Sequence, residues 1–174
     1  MLGATTDNYN VNWAIFFFGS DELTFYSYTS SQQYQINTGD DGVFRDPSAW
    51  YHLVLAWETT QSTAADRIKL YVNGSQFTNF ETAVYPSLNY EEGYINNNIQ
   101  QDIGRAATAA YGYDGYMAEV HFVDGSALSP TSFGETKSGI WIPKKYTGSH
   151  GTNGYHLDFA CLLYTSDAAD DQLG

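Results

Sequence analysis

Between residues 81 and 114 the chain gathers aromatic and amide side chains: Tyr90, Tyr94, Asn96, Asn97 and Asn98, then Tyr111, Tyr113 and Asp114. Aromatic faces stack on the C–H groups of sugars, while amides and carboxylates bond the hydroxyls. The stretch from 81 to 98 is long and irregular, a frequent property of binding loops in compact domains. Together these eight residues are the expected rim of a carbohydrate site. Taken singly, each also suits ordinary loop chemistry.

Loop acids offer a second chemistry. Asp40, Asp41, Asp102 and Asp114 are candidate ligands for a hard cation, since calcium takes carboxylate and carbonyl oxygens from loops. No D-x-D-x-D-G run fixes such a site, and no motif requires a cofactor. For Asp46, Asp114 and Asp124 the shaping of turns is the competing role.

Catalysis has less support. Glycoside hydrolysis needs two carboxylates about 5–5.5 Å apart for retention. On one face of a strand that demands acids two residues apart. Glu119 and Asp158 each stand alone in their segments, and Asp21-Glu22 are adjacent and face opposite sides. No turn motif supports a Ser–His–acid arrangement. The four histidines and the single Cys161 show no metal-ligand spacing, and His52 and His121, inside apolar runs, are expected to be hydrogen-bonded structural residues. The expectation is a binding module and not an enzyme.

Composition narrows the partners. A formal charge of −13 with only 7 Lys+Arg leaves Lys144-Lys145 as the one adjacent basic pair. Nucleic acid is not an expected partner, because phosphate binding needs basic side chains to displace counterions. The run Trp13 to Phe18 is too short to enter and cross a bilayer, so no membrane insertion is expected. Met1-Leu2-Gly3 carries no basic leader start.

The elements that must position these residues are strands. The chain has 174 residues, 43% apolar and 17% aromatic, which suits one domain with a real core. Leu23, Phe25 and Ser27 alternate against Thr24, Tyr26 and Tyr28. Ile68, Leu70 and Val72 form an inward row, followed by Asn73-Gly74, a strong hairpin signal because a type I′ turn needs positive φ twice. Residues 50–57 are apolar on both faces, which predicts a central strand. Further strands are expected at 13–18, 34–37, 75–80, 99–103, 116–123 and 155–159. Ser129-Pro130, with Gly134 at the end, predicts one helical turn. Many short strands joined by turns imply an antiparallel sandwich or barrel.

The order of motifs adds a resemblance. Phe44 to Val54 with Trp50-Tyr51-His52, then Arg67-Ile68-Lys69-Leu70-Tyr71-Val72-Asn73-Gly74, then Gly104-Arg105, then Asp114 to Pro130 resembles a concanavalin A-like lectin, laminin G-like jelly-roll domain. The resemblance covers roughly residues 1–159. It implies a non-catalytic lectin-like module, a glycan or cell-surface polysaccharide as partner, and calcium as the cation such domains often carry. Gly139-Ile140-Trp141-Ile142-Pro143-Lys144-Lys145-Tyr146 is similar to the version in marine tailed-phage virion and tail-fibre-like proteins. That implies a virion or extracellular location and other virion subunits as partners. A structural packing domain is the first alternative; a hydrolase of the same sandwich is the least favoured.

Two departures shape the expected boundaries. Relatives of this kind carry more strand sequence before the point equivalent to Met1, so an early strand is expected to be missing. Residues 161–171, from Cys161-Leu162-Leu163-Tyr164 to Asp170-Asp171, resemble a translated sequencing adaptor. The reading is a sandwich over 1–160 and a non-native tail over 161–174.

Overall fold

The computed structural model describes residues 2–5, 12–17, 21–28, 31–40, 44–46, 48–104 and 112–159, the first two segments by backbone alone. Their strands are β1 (Leu2–Thr5), β2 (Asn12–Phe17), β3 (Leu23–Tyr28), β4 (Gln32–Asn37), β5 (Leu53–Trp57), β6 (Ile68–Val72) and β7 (Ser75–Phe77). They continue as β8 (Thr82–Val84), β9 (Gln101–Ile103), β10 (Val120–Phe122), β11 (Gly134–Lys137), β12 (Ile140–Pro143) and β13 (Tyr155–Leu157). Among the described residues the helical content is two single turns, Ala64–Asp66 and Pro130–Ser132. The protein is all-β, as the alternation predicts.

A six-stranded sheet runs in the order β8-β4-β3-β2-β1-β9, and a three-stranded sheet in the order β5-β6-β7. Two smaller ladders, β10-β13 and β11-β12, complete the set, and every pairing is antiparallel. The two larger sheets meet through their inward rows. Phe25 and Ile36 lie opposite each other on β3 and β4, and with Tyr34 they pack against Ile68 of β6 and Leu55 and Trp57 of β5. A second cluster joins Leu23, Phe44 and Leu70. Each fully buried side chain of this size contributes about 1.5–3 kcal/mol of transfer free energy.

Within this core Phe25 and Tyr34 meet Trp57 edge to face. Phe25 and Trp57 have centroids 5.8 Å apart at 89°, and Tyr34 meets Trp57 at 4.9 Å and 66°. That geometry sets the positive ring edge against the negative face. Polar groups close the sheet at its end. The Thr38 hydroxyl accepts from the Leu23 amide at 3.0 Å, and the Asn37 amide donates to Thr24 Oγ1 at 2.8 Å.

Three expectations change. Residues 53–57 form an edge strand of the described three-stranded sheet, not a central one. Later segments lie beside it: His52, just before the strand, packs on Trp141 of β12 at 5.6 Å, and Ala56 lies near Ala127 and Leu128. The strand expected over 116–123 is shortened to β10 because Glu119 takes φ 53°, outside the extended region. The turn at Pro130–Ser132 forms, with Pro130 at its start, but Gly134 does not end it in a left-handed conformation. Gly134 opens β11, where a Cβ would overlap the Trp141 ring.

Trp141 therefore touches two glycines. The other is Gly74, in the β6–β7 turn, where Asn73 has φ 48° and Gly74 φ 82° as a type I′ turn requires. A second left-handed pair, Ser138 (φ 52°) and Gly139 (φ 80°), turns β11 into β12 and carries Trp141 back over Gly74.

Candidate functional site

An open cleft of about 500 Å³ lies between the loop before β9 and the β10-β13 ladder. Ile95, Asn96, Asn97, Asn98, Gln101 and Asn153 line it with Phe122 and Tyr155. The two rings lie across the ladder from each other, because Phe122 pairs with Tyr155 in the register. Their centroids are 5.5 Å apart at 22°, so they present a continuous aromatic wall. Burial pushes the Tyr155 phenol above its ordinary pKa, which keeps it a neutral hydroxyl at physiological pH.

The amides facing this wall are held in place. Asn96 sits at φ 60° and donates through Nδ2 to Asp124 Oδ1 at 2.8 Å. The other Asp124 oxygen accepts from the Asn153 backbone N–H at 3.2 Å, and the Asp124 N–H donates to the His150 carbonyl at 2.8 Å. One aspartate thus ties together the two loops that border the cleft. Asn97 Nδ2 donates to the Gly93 carbonyl at 3.0 Å, and Gln101 Nε2 to the Tyr94 carbonyl at 2.8 Å. Among the described residues no carboxylate lines the cleft.

The other residues singled out from sequence occupy different places. Tyr90 and Tyr94 pack against the core cluster; Tyr90 lies 6.2 Å from Tyr34. Tyr113 donates its backbone N–H to the Gly104 carbonyl at 2.7 Å, away from the cleft lining, and Asp114 is exposed. Tyr111 and Asp41 lie outside the described residues. Asp40 forms an exposed ion pair with Arg45, while Asp102 is buried and accepts from Gln100 Nε2 at 3.0 and 3.1 Å. Asp40, Asp102 and Asp114 do not converge with one another in any acid or histidine cluster of the described residues.

A different cluster forms on the opposite face of the same ladder. His121 and His156 are cross-strand partners, with parallel rings at 4.1 Å and 4°. Glu119 Oε2 lies 2.9 Å from His156 Nε2 and 3.6 Å from His121 Nε2. His121 Nδ1 faces His150 Nε2 at 3.0 Å. Phe133 and Tyr146 pack around His121 at 5.2 and 5.9 Å. Burial first, then the neighbouring imidazoles, hold His121 below its ordinary pKa, against the pull of Glu119. Sequence reasoning treated His121 as a lone structural histidine. Glu119-x-His121 was visible, but the pairing that adds His156 and His150 was not. His52 also departs from expectation: its ring packs on Trp141 and its buried Nδ1 has no hydrogen-bond partner.

An antiparallel β-sandwich with a cleft at its loop side is the architecture of lectin-like domains. The sequence match agrees: residues 2–132 match the laminin G-type family described as the concanavalin A-like lectin/glucanases superfamily, and the chain belongs to that superfamily. No curated protein and no solved structure matches it. The family match ends before Trp141, His150, Asn153, Tyr155 and His156, so half of the aromatic wall and half of the histidine cluster lie beyond it.

Proposed function

We propose that this lectin-like domain is a non-catalytic carbohydrate-binding module, part of a phage structural or host-recognition protein acting on the virion or outside the cell. The observation that carries the reading is the cleft itself. A stacked Phe122–Tyr155 wall faces amides from Asn96, Asn97, Asn98, Gln101 and Asn153. This is the chemistry of sugar recognition: ring faces for C–H groups, amides for hydroxyls. The absence of a carboxylate pair in the described lining supports binding over hydrolysis. The phage context rests on the phrasing of residues 139–146, and the partner it suggests is a bacterial surface polysaccharide. Calcium is compatible with this function and is not required by the cleft residues.

Isothermal titration calorimetry against bacterial surface polysaccharides, with and without millimolar calcium, tests the reading. Phe122→Ala is expected to weaken binding by about two- to tenfold, since stacking on one aromatic ring is worth roughly 0.5–1.5 kcal/mol. Binding that survives Phe122→Ala and Tyr155→Ala unchanged would remove the cleft from the function. A packing role in a virion or fibre is the second reading, favoured by the exposed rings of Trp50 (67% accessible) and Tyr116 (87%). It predicts self-association of the wild-type chain that Trp50→Ser and Tyr116→Ser abolish.

A further inference from the structure

The chain has four histidines, and three of them meet at one spot with a glutamate. We infer that Glu119, His121 and His156 form a binding site for a first-row divalent transition metal, Zn2+ being the best fit, with His150 as the outer partner that orients His121. The donors are two imidazole nitrogens and one carboxylate oxygen, a set that suits Zn2+ and its neighbours, whereas calcium takes oxygen alone. It is therefore a separate site from any calcium position among the loop acids.

The geometry supports this in three ways. All three donor atoms lie within 4.8 Å of one another. Tetrahedral bonds of about 2.0–2.1 Å place neighbouring ligand atoms about 3.3 Å apart. The separations from Glu119 Oε2, 2.9 and 3.6 Å, bracket that value. The His121 and His156 rings stack nearly parallel, so one must turn for both ring nitrogens to converge on an ion; Glu119 and His156 retain 51% and 37% side-chain exposure, which gives them room to turn and the metal a path from solvent.

The second support is the contact behind His121. A ligating histidine commonly gives its other ring N–H to an acceptor, which fixes the tautomer. His121 Nδ1 faces His150 Nε2 at 3.0 Å. With the proton on His121 Nδ1, Nε2 keeps its lone pair for a metal and lies 3.6 Å from Glu119 Oε2. The Glu119–His156 hydrogen bond is replaced on binding, with the His156 proton moving to Nδ1.

The third support is placement. In an antiparallel ladder neighbouring residues point to opposite faces. His121 and His156 share one face, and Phe122 and Tyr155 share the other. A metal on the histidine face would clamp β10 to β13 directly behind the aromatic wall. Three protein ligands also leave one coordination position open to water.

Titration of the metal-free full chain with ZnCl2 by calorimetry tests the inference. One equivalent of Zn2+ is expected to bind. Glu119→Gln and His156→Ala, at exposed positions, are each expected to weaken it more than about tenfold, and His150→Phe by about 10- to 100-fold, the usual range for an outer-shell partner. Bound Co2+ should give visible absorption that Glu119→Gln removes. Circular dichroism melts confirm that each variant is folded. No stoichiometric binding, or an affinity unchanged in all three folded variants, overturns the site. Glycan binding measured in the presence of a chelator reports on the cleft alone, so failure of one reading is distinguishable from failure of the other.

Discussion

Two parts of this molecule use aromatic rings in opposite ways. In the core between β3, β4, β5 and β6 two rings meet Trp57 edge to face, Phe25 at 89° and Tyr34 at 66°, and Tyr34 is fully buried. On the β10-β13 ladder the rings lie parallel, Phe122 on Tyr155 at 22° and His121 on His156 at 4°. Edge-to-face contacts interlock from several directions and leave no free face. Parallel cross-strand pairs leave ring edges and outer faces reachable from solvent. The first arrangement spends its aromatic surface on stability, and the second keeps it available to a ligand. Beside the short ladder Asp124 ties the Asn96 loop to the Asn153 loop.

The largest expected effect breaks the comparison at its stable end. Phe25→Ala deletes a ring touching Tyr34 and Trp57 and should cost about 3–5 kcal/mol, a large share of the roughly 5–15 kcal/mol that holds an ordinary domain folded. Phe122→Ala should leave the urea midpoint near wild type while weakening polysaccharide binding. If Phe122→Ala were the more damaging to stability, the ladder would be part of the core and the contrast would fail.

Next in size is the contact of β12 with the β6–β7 turn. Trp141 lies over Gly74 and Gly134 at once, so alanine at either position forces the ring to move. Overpacking of this kind costs about 1–3 kcal/mol. Gly74→Ala should be the worse of the two, because φ 82° adds backbone strain to the overlap. The double variant should lose less than the sum, since both substitutions displace the same ring. Denaturant melts of the four proteins measure this coupling, and strict additivity would show that Trp141 is not shared.

The contrast also explains what the sequence made legible. The inward rows of β3 and β6 could be read from alternation, because a buried face imposes period two on Leu23, Phe25 and Ser27 and on Ile68 and Leu70. The Asn73-Gly74 hairpin was legible from turn chemistry alone. Of the residues proposed for a rim, Asn96, Asn97 and Asn98 line the cleft, while Tyr90 and Tyr94 pack on the core. Local composition does not say which way a loop tyrosine turns. Phe122, Tyr155 and the histidine cluster depend on a pairing between strands separated by more than thirty residues. No local pattern carries that register, and Glu119 adds a left-handed residue where alternation predicts continuing strand.

The smallest effect concerns a charge placed at the stable end. Glu92 Oε2, the Tyr34 hydroxyl and the Ser27 hydroxyl sit close together in the interior, none of them in a well-formed hydrogen bond. Burial is the main cause that raises the Glu92 carboxyl above its ordinary value of 4.5; the nearby Tyr34 hydroxyl, and then the N–H of Gly93, donating to Oε1 at 3.0 Å, only partly oppose it. Burial first, and then the Glu92 charge, raise the Tyr34 phenol as well. A carboxyl with a raised folded-state pKa binds its proton more tightly in the folded chain than in the unfolded one. Its contribution to stability is therefore present below the unfolded pKa and is lost as pH rises through the folded value. Glu92→Gln keeps the shape and removes the charge. The variant should gain on wild type in melting temperature as pH rises from about 4 to 7, and the two should converge at the acid end of that range. A difference that stays constant over the range would mean that the carboxylate is hydrated in the folded state, and that the core does not exclude water at β3 as tightly as its edge-to-face packing implies.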